Sequence, residues 1–312
     1  MRFAVVGAGS LGGYFGGLLQ RDGHQVSYLA RGRTLETLRE NGLRITGQTE
    51  IELPQVTATD DPAEIGPVDA VLLCVKTPQL DAVLPQLPEM VGPLTAVITM
   101  QNGIDAPRRV AEVVGEGAVL PGIVRIFTQL TERGVIDHRG GPGSIAFSEP
   151  NNAETDRLEA LRDAFSEAGV TVVEPADIWS ELWQKYVFFA PSGLLGALTA
   201  EPIGVIRNRP GLRQLLQRAI GEAVAVGRAV GIDLPPDVET RTLTFCDQLP
   251  EGATTSLQRD LAAGVPSELE SVLGALVRLA AVAGVPVPLH ELGYEVLSVR
   301  AEHAAERAAQ AP

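Results

Sequence analysis

The first thirty residues constrain this chain more than any other stretch. Phe3–Val6 is a short β-rich run, too short for a helix. Gly7-Ala8-Gly9-Ser10-Leu11-Gly12 follows at once and spells G-x-G-x-x-G. Leu11 to Leu19 carries helical periodicity, Gly23-His24 ends it, and Gln25–Leu29 reads as a second strand. Strand, glycine motif, helix and strand thus fill one β-α-β unit of about the usual 30 residues. Each glycine has its own reason. The first allows the tight turn off the strand, the second lets backbone approach a pyrophosphate, and the third lets helix and strand pack closely. The helix N-terminus then offers unpaired N–H groups and a partial positive charge to phosphate.

The end of the second strand selects the dinucleotide. An NAD site places Asp or Glu about 20 residues on, to hold the ribose hydroxyls. Here Leu29-Ala30-Arg31-Gly32-Arg33 stands in that place, with no carboxylate. A guanidinium binds a 2′-phosphate in a planar, charge-assisted fork, so the reading is NADPH/NADP+. Arg31 and Arg33 also have an ordinary reading as surface loop charges.

Further along, Ala70–Val75 and Ala96–Met100 are continuous apolar runs of the kind buried parallel strands show. The first ends in Lys76-Thr77-Pro78 and the second in Gln101-Asn102-Gly103. Ligands bind along the C-terminal edge of such sheets, which puts Lys76 and Asn102 on the cofactor edge. Asn-Gly is equally a plain turn pair. A helix is expected from Pro78 to about Leu87, and strands over Val119–Phe127, Gly134–His138 and Ser144–Phe147, separated by Gly-Pro turns. A helix over Asp156–Ala168 and a last strand, Val170–Val173, close this part.

Beyond Glu174-Pro175-Ala176-Asp177 the strand signals nearly vanish. Ile178–Ala190, Pro210–Val230, Pro236–Leu249, Thr255–Leu261, Ser267–Ala283 and His290–Ala309 read as helices, with the last dozen residues fraying. The fold class is therefore α/β: a doubly wound Rossmann-type sheet domain over 1–174, then an all-helical domain over 175–312. In the helical part Lys185 follows Glu181 by one turn, which suits a surface ion pair. Ser267 to Glu270 fits a capping box, with Glu268 favouring the helix dipole.

Composition narrows the partners. With 45% hydrophobic residues the chain can bury a sizeable core, and its formal charge of −14 argues against nucleic acid and anionic membrane. No apolar run reaches the roughly 18–20 residues that span a bilayer. The start, with Arg2 as its only early charge and a break at Gly7, does not resemble a signal peptide. A cytoplasmic enzyme is expected. Cys74 reads as a small core residue, and His24, His138, His290 and His303 are too scattered for a metal site.

Taken in order, these motifs resemble the ketopantoate reductase (2-dehydropantoate 2-reductase) family over nearly the whole chain. The features are Gly7–Gly12, Leu29-Ala30-Arg31, Val75-Lys76, Gln101-Asn102-Gly103, Glu181-Leu182-Trp183-Gln184-Lys185, Thr255-Ser256-Leu257-Gln258-Arg259-Asp260 and Pro266-Ser267-Glu268. The resemblance implies a 6-phosphogluconate-dehydrogenase-like helical domain and an active site in the cleft between the domains. It implies NADPH-dependent reduction of ketopantoate to (R)-pantoate, on the route to pantothenate. Lys185 matches the catalytic lysine, and Glu268 the glutamate that positions substrate and the nicotinamide ribose. Asn102 matches the asparagine near nicotinamide and lysine, and Ser256 a serine that holds the substrate carboxylate. Arg31 and Lys76 match phosphate contacts of the cofactor. The helical domain is a candidate for dimerisation. The family's asparagines four and eight residues after the lysine are Phe189 and Gly193 here. That departure points also to a related reductase acting on another, more apolar 2-oxo acid or ketone. A non-catalytic NADP(H) sensor on the same fold is disfavoured by the presence of both Lys185 and Glu268.

Overall fold

A computed structural model describes residues 1–310. Two compact units divide the chain. One comprises Met1–Gln101 and Ala106–Ile178; the other takes Asn102–Asp105 and everything from Trp179 onward. The short segment 102–105, read in the sequence with the first domain, thus groups with the helices.

The sheet unit contains one ten-stranded sheet. Its strands are β1 (Arg2–Val6), β2 (Gln25–Leu29), β3 (Leu43–Gly47), β4 (Ile51–Leu53), β5 (Thr57–Thr59), β6 (Ala70–Leu73), β7 (Ala96–Thr99), β8 (Val119–Glu132), β9 (Val135–Phe147) and β10 (Thr171–Val173). The order is β4-β3-β9-β8-β7-β6-β1-β2-β5, with β10 paired to β9. From β5 to β8 every pairing is parallel, and β9 then returns antiparallel to β8. The parallel strands have two apolar faces because both are covered. Phe3, Val5, Leu72 and Ile98 join a core with Phe15, Leu19, Leu161 and Phe165 from helices Ser10–Arg21 and Asp156–Glu167. Ala4, Val6, Val71 and Leu73 join a second core with Leu80, Leu87 and Val110. Burial on alternate faces of each strand is what makes this sheet doubly wound.

Several expectations are corrected. The region after Lys76 is not one helix: 3-10 turns at Thr77–Gln79 and Leu84–Met90 flank a single α-turn, Leu80–Val83. Pro85 and Pro88 remove the N–H groups an α-helix would need. The run Gly140–Gly143 is no turn between strands. It lies inside β9, where Gly140 and Gly141 take φ of +136° and +88° and the register against β8 shifts. Helix Ala106–Val114, unsuspected in the sequence, covers part of the second core.

In the helical unit the long helix Ile178–Thr199 runs straight past its expected end at Ala190, through Pro191. Burial of Ala190, Leu194, Leu195 and Ala197 outweighs the one lost backbone bond. Helices Pro210–Ala229, Val238–Gln248, Ser256–Ala263, Ala275–Ala283 and Pro288–Gln310 follow, with a short helix, Ile203–Asn208, that the sequence did not suggest. The fraying expected for the last dozen residues falls partly on 311 and 312, outside the described residues. Among the described residues, no helix is long and apolar enough to cross a membrane, and no three His, Cys, Asp or Glu side chains group to hold a metal ion.

Candidate active site

The candidate residues fall into two groups, one in each unit. In the sheet unit, Gly7 ends β1 with φ +99°. A Cβ there would stand 2.8 Å from Val75 Cγ1 and from the Val75 nitrogen, so the turn packs directly on the end of β6. A Cβ at Gly12 would stand 2.2 Å from the Gly7 carbonyl oxygen and 2.8 Å from Val5 Cγ1. Only glycine lets helix Ser10–Arg21 lie this close to its strand. Gly9 is the opposite case: a Cβ added to it would meet nothing within 4 Å. Gly9 is also the N-cap of that helix, with no side-chain capping bond. The backbone of Gly7, Ala8, Gly9, Ser10, Leu11 and Gly12 therefore forms an open, uncapped helix start, which fits a pyrophosphate.

Arg31 is exposed at the N-cap of helix Gly32–Asn41, and Arg33 is exposed in its first turn. No acid stands in that first turn. The local charge is thus positive, which fits a 2′-phosphate. Lys76 is exposed just past β6. Its loop is pinned by Gln101, whose buried Nε2 donates to the carbonyls of Leu73 at 2.8 Å and Val75 at 3.0 Å. The sequence reading named Gln101 within its motif and gave it no role of its own. A polar residue ending a buried strand was the available signal, since a buried amide needs such partners.

In the helical unit the chain brings together Asn102, Lys185 and Glu268. Lys185 Nζ donates to Asn102 Oδ1 at 3.0 Å, and Asn102 Nδ2 donates to Glu268 Oε2 at 3.0 Å. Helix Ile178–Thr199 buries Leu182, Trp183, Tyr186, Val187 and Ala190 on one stripe, which leaves Lys185 half-buried at its margin. Trp183 fixes the stripe against Gly227, where a Cβ would meet the indole at 2.8 Å. Glu268 is only 6% exposed. A carboxylate that deep needs hydrogen-bond donors, and Asn102 supplies one. The capping box expected from Ser267 to Glu270 does not form. Glu270 instead reaches forward to Arg278 and Tyr294. Ser256 stands on another element, as the first residue of helix Ser256–Ala263, whose N-cap is made by Thr255 Oγ1 accepting from the Gln258 N–H at 3.2 Å.

One compositional signal was overlooked. The chain has 25 lysines and arginines, yet only Lys76 and Lys185 are lysine. Arginine stays protonated in proteins, whereas an amine can give up its proton. Lysine therefore occurs only at two of the candidate positions. The arrangement at Lys185 is an amine held by an amide that is itself held by a carboxylate. Such an amine can donate a proton or a charged hydrogen bond to an oxygen that gains negative charge.

Two family models match the chain in order: Ketopantoate reductase PanE/ApbA over residues 3–152, and Ketopantoate reductase PanE/ApbA C terminal over residues 177–301. The 2-dehydropantoate 2-reductase of Halobacterium salinarum is 30% identical, over 93% of this chain and 95% of its own. An uncharacterized oxidoreductase of Bacillus subtilis, YkpB, is 28% identical over 96% and 98%. The crystal structure of a PanE/ApbA family ketopantoate reductase from Ralstonia eutropha is 27% identical. It superposes with a TM-score of 0.89 over 98% of this chain and 100% of that one. Matched by both models of one family over most of its length, the chain belongs to the ketopantoate reductase PanE/ApbA family of oxidoreductases.

Proposed function

We propose that this chain reduces ketopantoate to (R)-pantoate with NADPH, a cytoplasmic step of pantothenate biosynthesis. The observation that carries the reading is the hydrogen-bonded series Lys185–Asn102–Glu268. NADPH, when bound, supplies the hydride for the ketone carbon. The backbone of Gly7–Gly12 holds its pyrophosphate, and Arg31 and Lys76 hold its other phosphate charges. Lys185 gives a proton, or a strong charged hydrogen bond, to the ketone oxygen as negative charge develops there. Asn102 aims the amine, and Glu268 orders Asn102 and positions substrate and ribose. Ser256 helps hold the substrate carboxylate.

The test follows NADPH oxidation at 340 nm with ketopantoate. Turnover that Lys185→Ala lowers by at least about a hundredfold supports the reading. NADPH binding without turnover sinks ketopantoate as substrate, and equal use of NADH sinks the role given to Arg31.

A second reading rests on Phe189. It lies one turn from Lys185 on the same helix and is half-buried. A phenyl ring leaves a substrate hydroxyl without a partner, a loss on the order of 1–3 kcal/mol. This reading takes a more apolar 2-oxo acid as substrate. Phe189→Asn is then expected to raise kcat/KM for ketopantoate by about tenfold or more and to lower it for apolar 2-oxo acids. No change in either ratio removes Phe189 from the argument.

A further inference from the structure

Asn102, Lys185 and Glu268 lie on three separate stretches of chain. Lys185's neighbour bonds to one short segment, Asn102's neighbour packs on it, and the Glu268 carbonyl accepts bonds from it. That segment is Glu270–Gly274, which has π-helical geometry before the helix continues as Ala275–Ala283. Next to Lys185, Tyr186 is 2% exposed and donates its hydroxyl to the Val272 carbonyl at 2.5 Å. Next to Asn102, Gly103 has φ +124°, and a Cβ there would stand 2.9 Å from the Ser271 carbonyl oxygen. Behind Glu268, the Ser271 hydroxyl donates to the Glu268 carbonyl at 3.1 Å, and the Val272 N–H donates to the same oxygen at 2.9 Å.

A local arrangement of side chains accompanies the widened turn. A Cβ on Gly274 would lie 2.8 Å from the Glu270 carboxylate, which folds over it. Tyr294 holds that carboxylate at 2.5 Å, and Arg278 pairs with it. π-turns of this length are rare and recur at functional sites. The carbonyls they present keep a lone pair for a side-chain donor. Tyr186 is suited to supply that donor permanently. Burial, reinforced by Asp105 and opposed by Arg278, pushes its phenol well above the ordinary value, so it stays an O–H group.

We infer that Tyr186 is a positioning residue, whose hydroxyl, through the Val272 carbonyl, fixes the long helix against the π-turn and so sets the Lys185–Asn102–Glu268 contacts. Its role in turnover rests on the function proposed above, but the geometry it governs does not require substrate. Removing the hydroxyl leaves the ring in place against Trp183, whose centroid is 5.5 Å away.

The experiment exploits the lysine count. Reductive methylation with ¹³C-formaldehyde labels two lysine side chains, Lys76 and Lys185, besides the N-terminal amine. Lys76→Arg assigns the peaks. In Tyr186→Phe the Lys185 titration midpoint is expected to fall by about half a pH unit or more, because its ammonium loses a fixed acceptor. The Lys76 peak stays as an internal control. In the same variant kcat drops by about tenfold, with KM for NADPH within about twofold. An unchanged Lys185 titration together with unchanged kcat overturns the inference. So does a loss of turnover in which both lysine peaks move together, which marks general loosening. Should Tyr186→Phe not fold, Ser271→Ala removes the second fastening and is expected to move Lys185 in the same direction. A wild type inactive on every 2-oxo acid defeats the proposed function alone, since the NMR comparison still decides the role of Tyr186.

Discussion

Asn102 faces Lys185 with its oxygen and Glu268 with its nitrogen, each at 3.0 Å. Few side chains can join a cation donor to an anion acceptor in this way; a short amide does so with both ends fixed. Asn102→Asp keeps the shape but sets a second carboxylate against a glutamate that is 6% exposed. Asn102→Ala removes the bridge without adding charge. The aspartate variant is therefore expected to be the more damaging, with kcat lowered by about a hundredfold or more against about tenfold for alanine. Steady-state kinetics of the two variants decide it. An alanine variant as poor as the aspartate one removes the charge argument.

Two glycines of one motif are expected to behave oppositely. A side chain at Gly12 would collide with the Gly7 carbonyl and with Val5, whereas one at Gly9 meets nothing within 4 Å. Gly12→Ala is expected to destabilise the apo protein by about 1–3 kcal/mol through forced backbone shifts. Gly9→Ala, with φ already −82°, is expected to leave the apo melting temperature within about 2 °C and to weaken NADPH binding by about tenfold or more. Thermal melts without cofactor, followed by NADPH fluorescence titration, separate the two. A Gly9→Ala protein that binds NADPH normally rules out a phosphate at this helix start.

The sheet was legible because its strands are short apolar runs between polar turns, and period and length suffice to find them. The glycines of Gly140–Gly143 misled for a definite reason: the same freedom at positive φ serves a turn or a bulge, and only the pairing of β8 with β9 distinguishes them. Pro191 misled likewise, since a proline's lost bond is visible locally but the burial of Leu194 and Leu195 behind it is not. At the site, residue types could be read but not their meeting. Asn102 is 83 positions from Lys185 and 166 from Glu268, and no local pattern encodes such a contact. The π-turn was invisible for the same reason. Glu270–Gly274 has the spacing of an ordinary helix, and it is the reach of Glu270 to Arg278 and Tyr294 that accompanies the wider turn.

A buried pair, Glu222 and His290, gives the helical unit a pH dependence of its own. His290 is fully buried, and its Nδ1 lies 2.7 Å from Glu222 Oε2. Glu222 also accepts the backbone N–H groups of Leu289 at 3.0 Å and His290 at 3.2 Å, in the first turn of helix Pro288–Gln310. Burial pushes its carboxyl up, but the bonds to His290 and to the two N–H groups outweigh that and hold it below the ordinary value of 4.5. The folded protein thus binds this proton less readily than the unfolded chain does. The stabilisation is complete above the ordinary carboxylate range and is lost as pH falls through the lower folded value. Glu222→Gln is expected to cost about 1–2 kcal/mol at pH 7 and to flatten the acid limb of stability below about pH 5. Urea unfolding at pH 7, 5 and 4, with and without the substitution, checks both. Equal losses in the two proteins between pH 5 and 4 would show that other carboxylates carry the acid sensitivity.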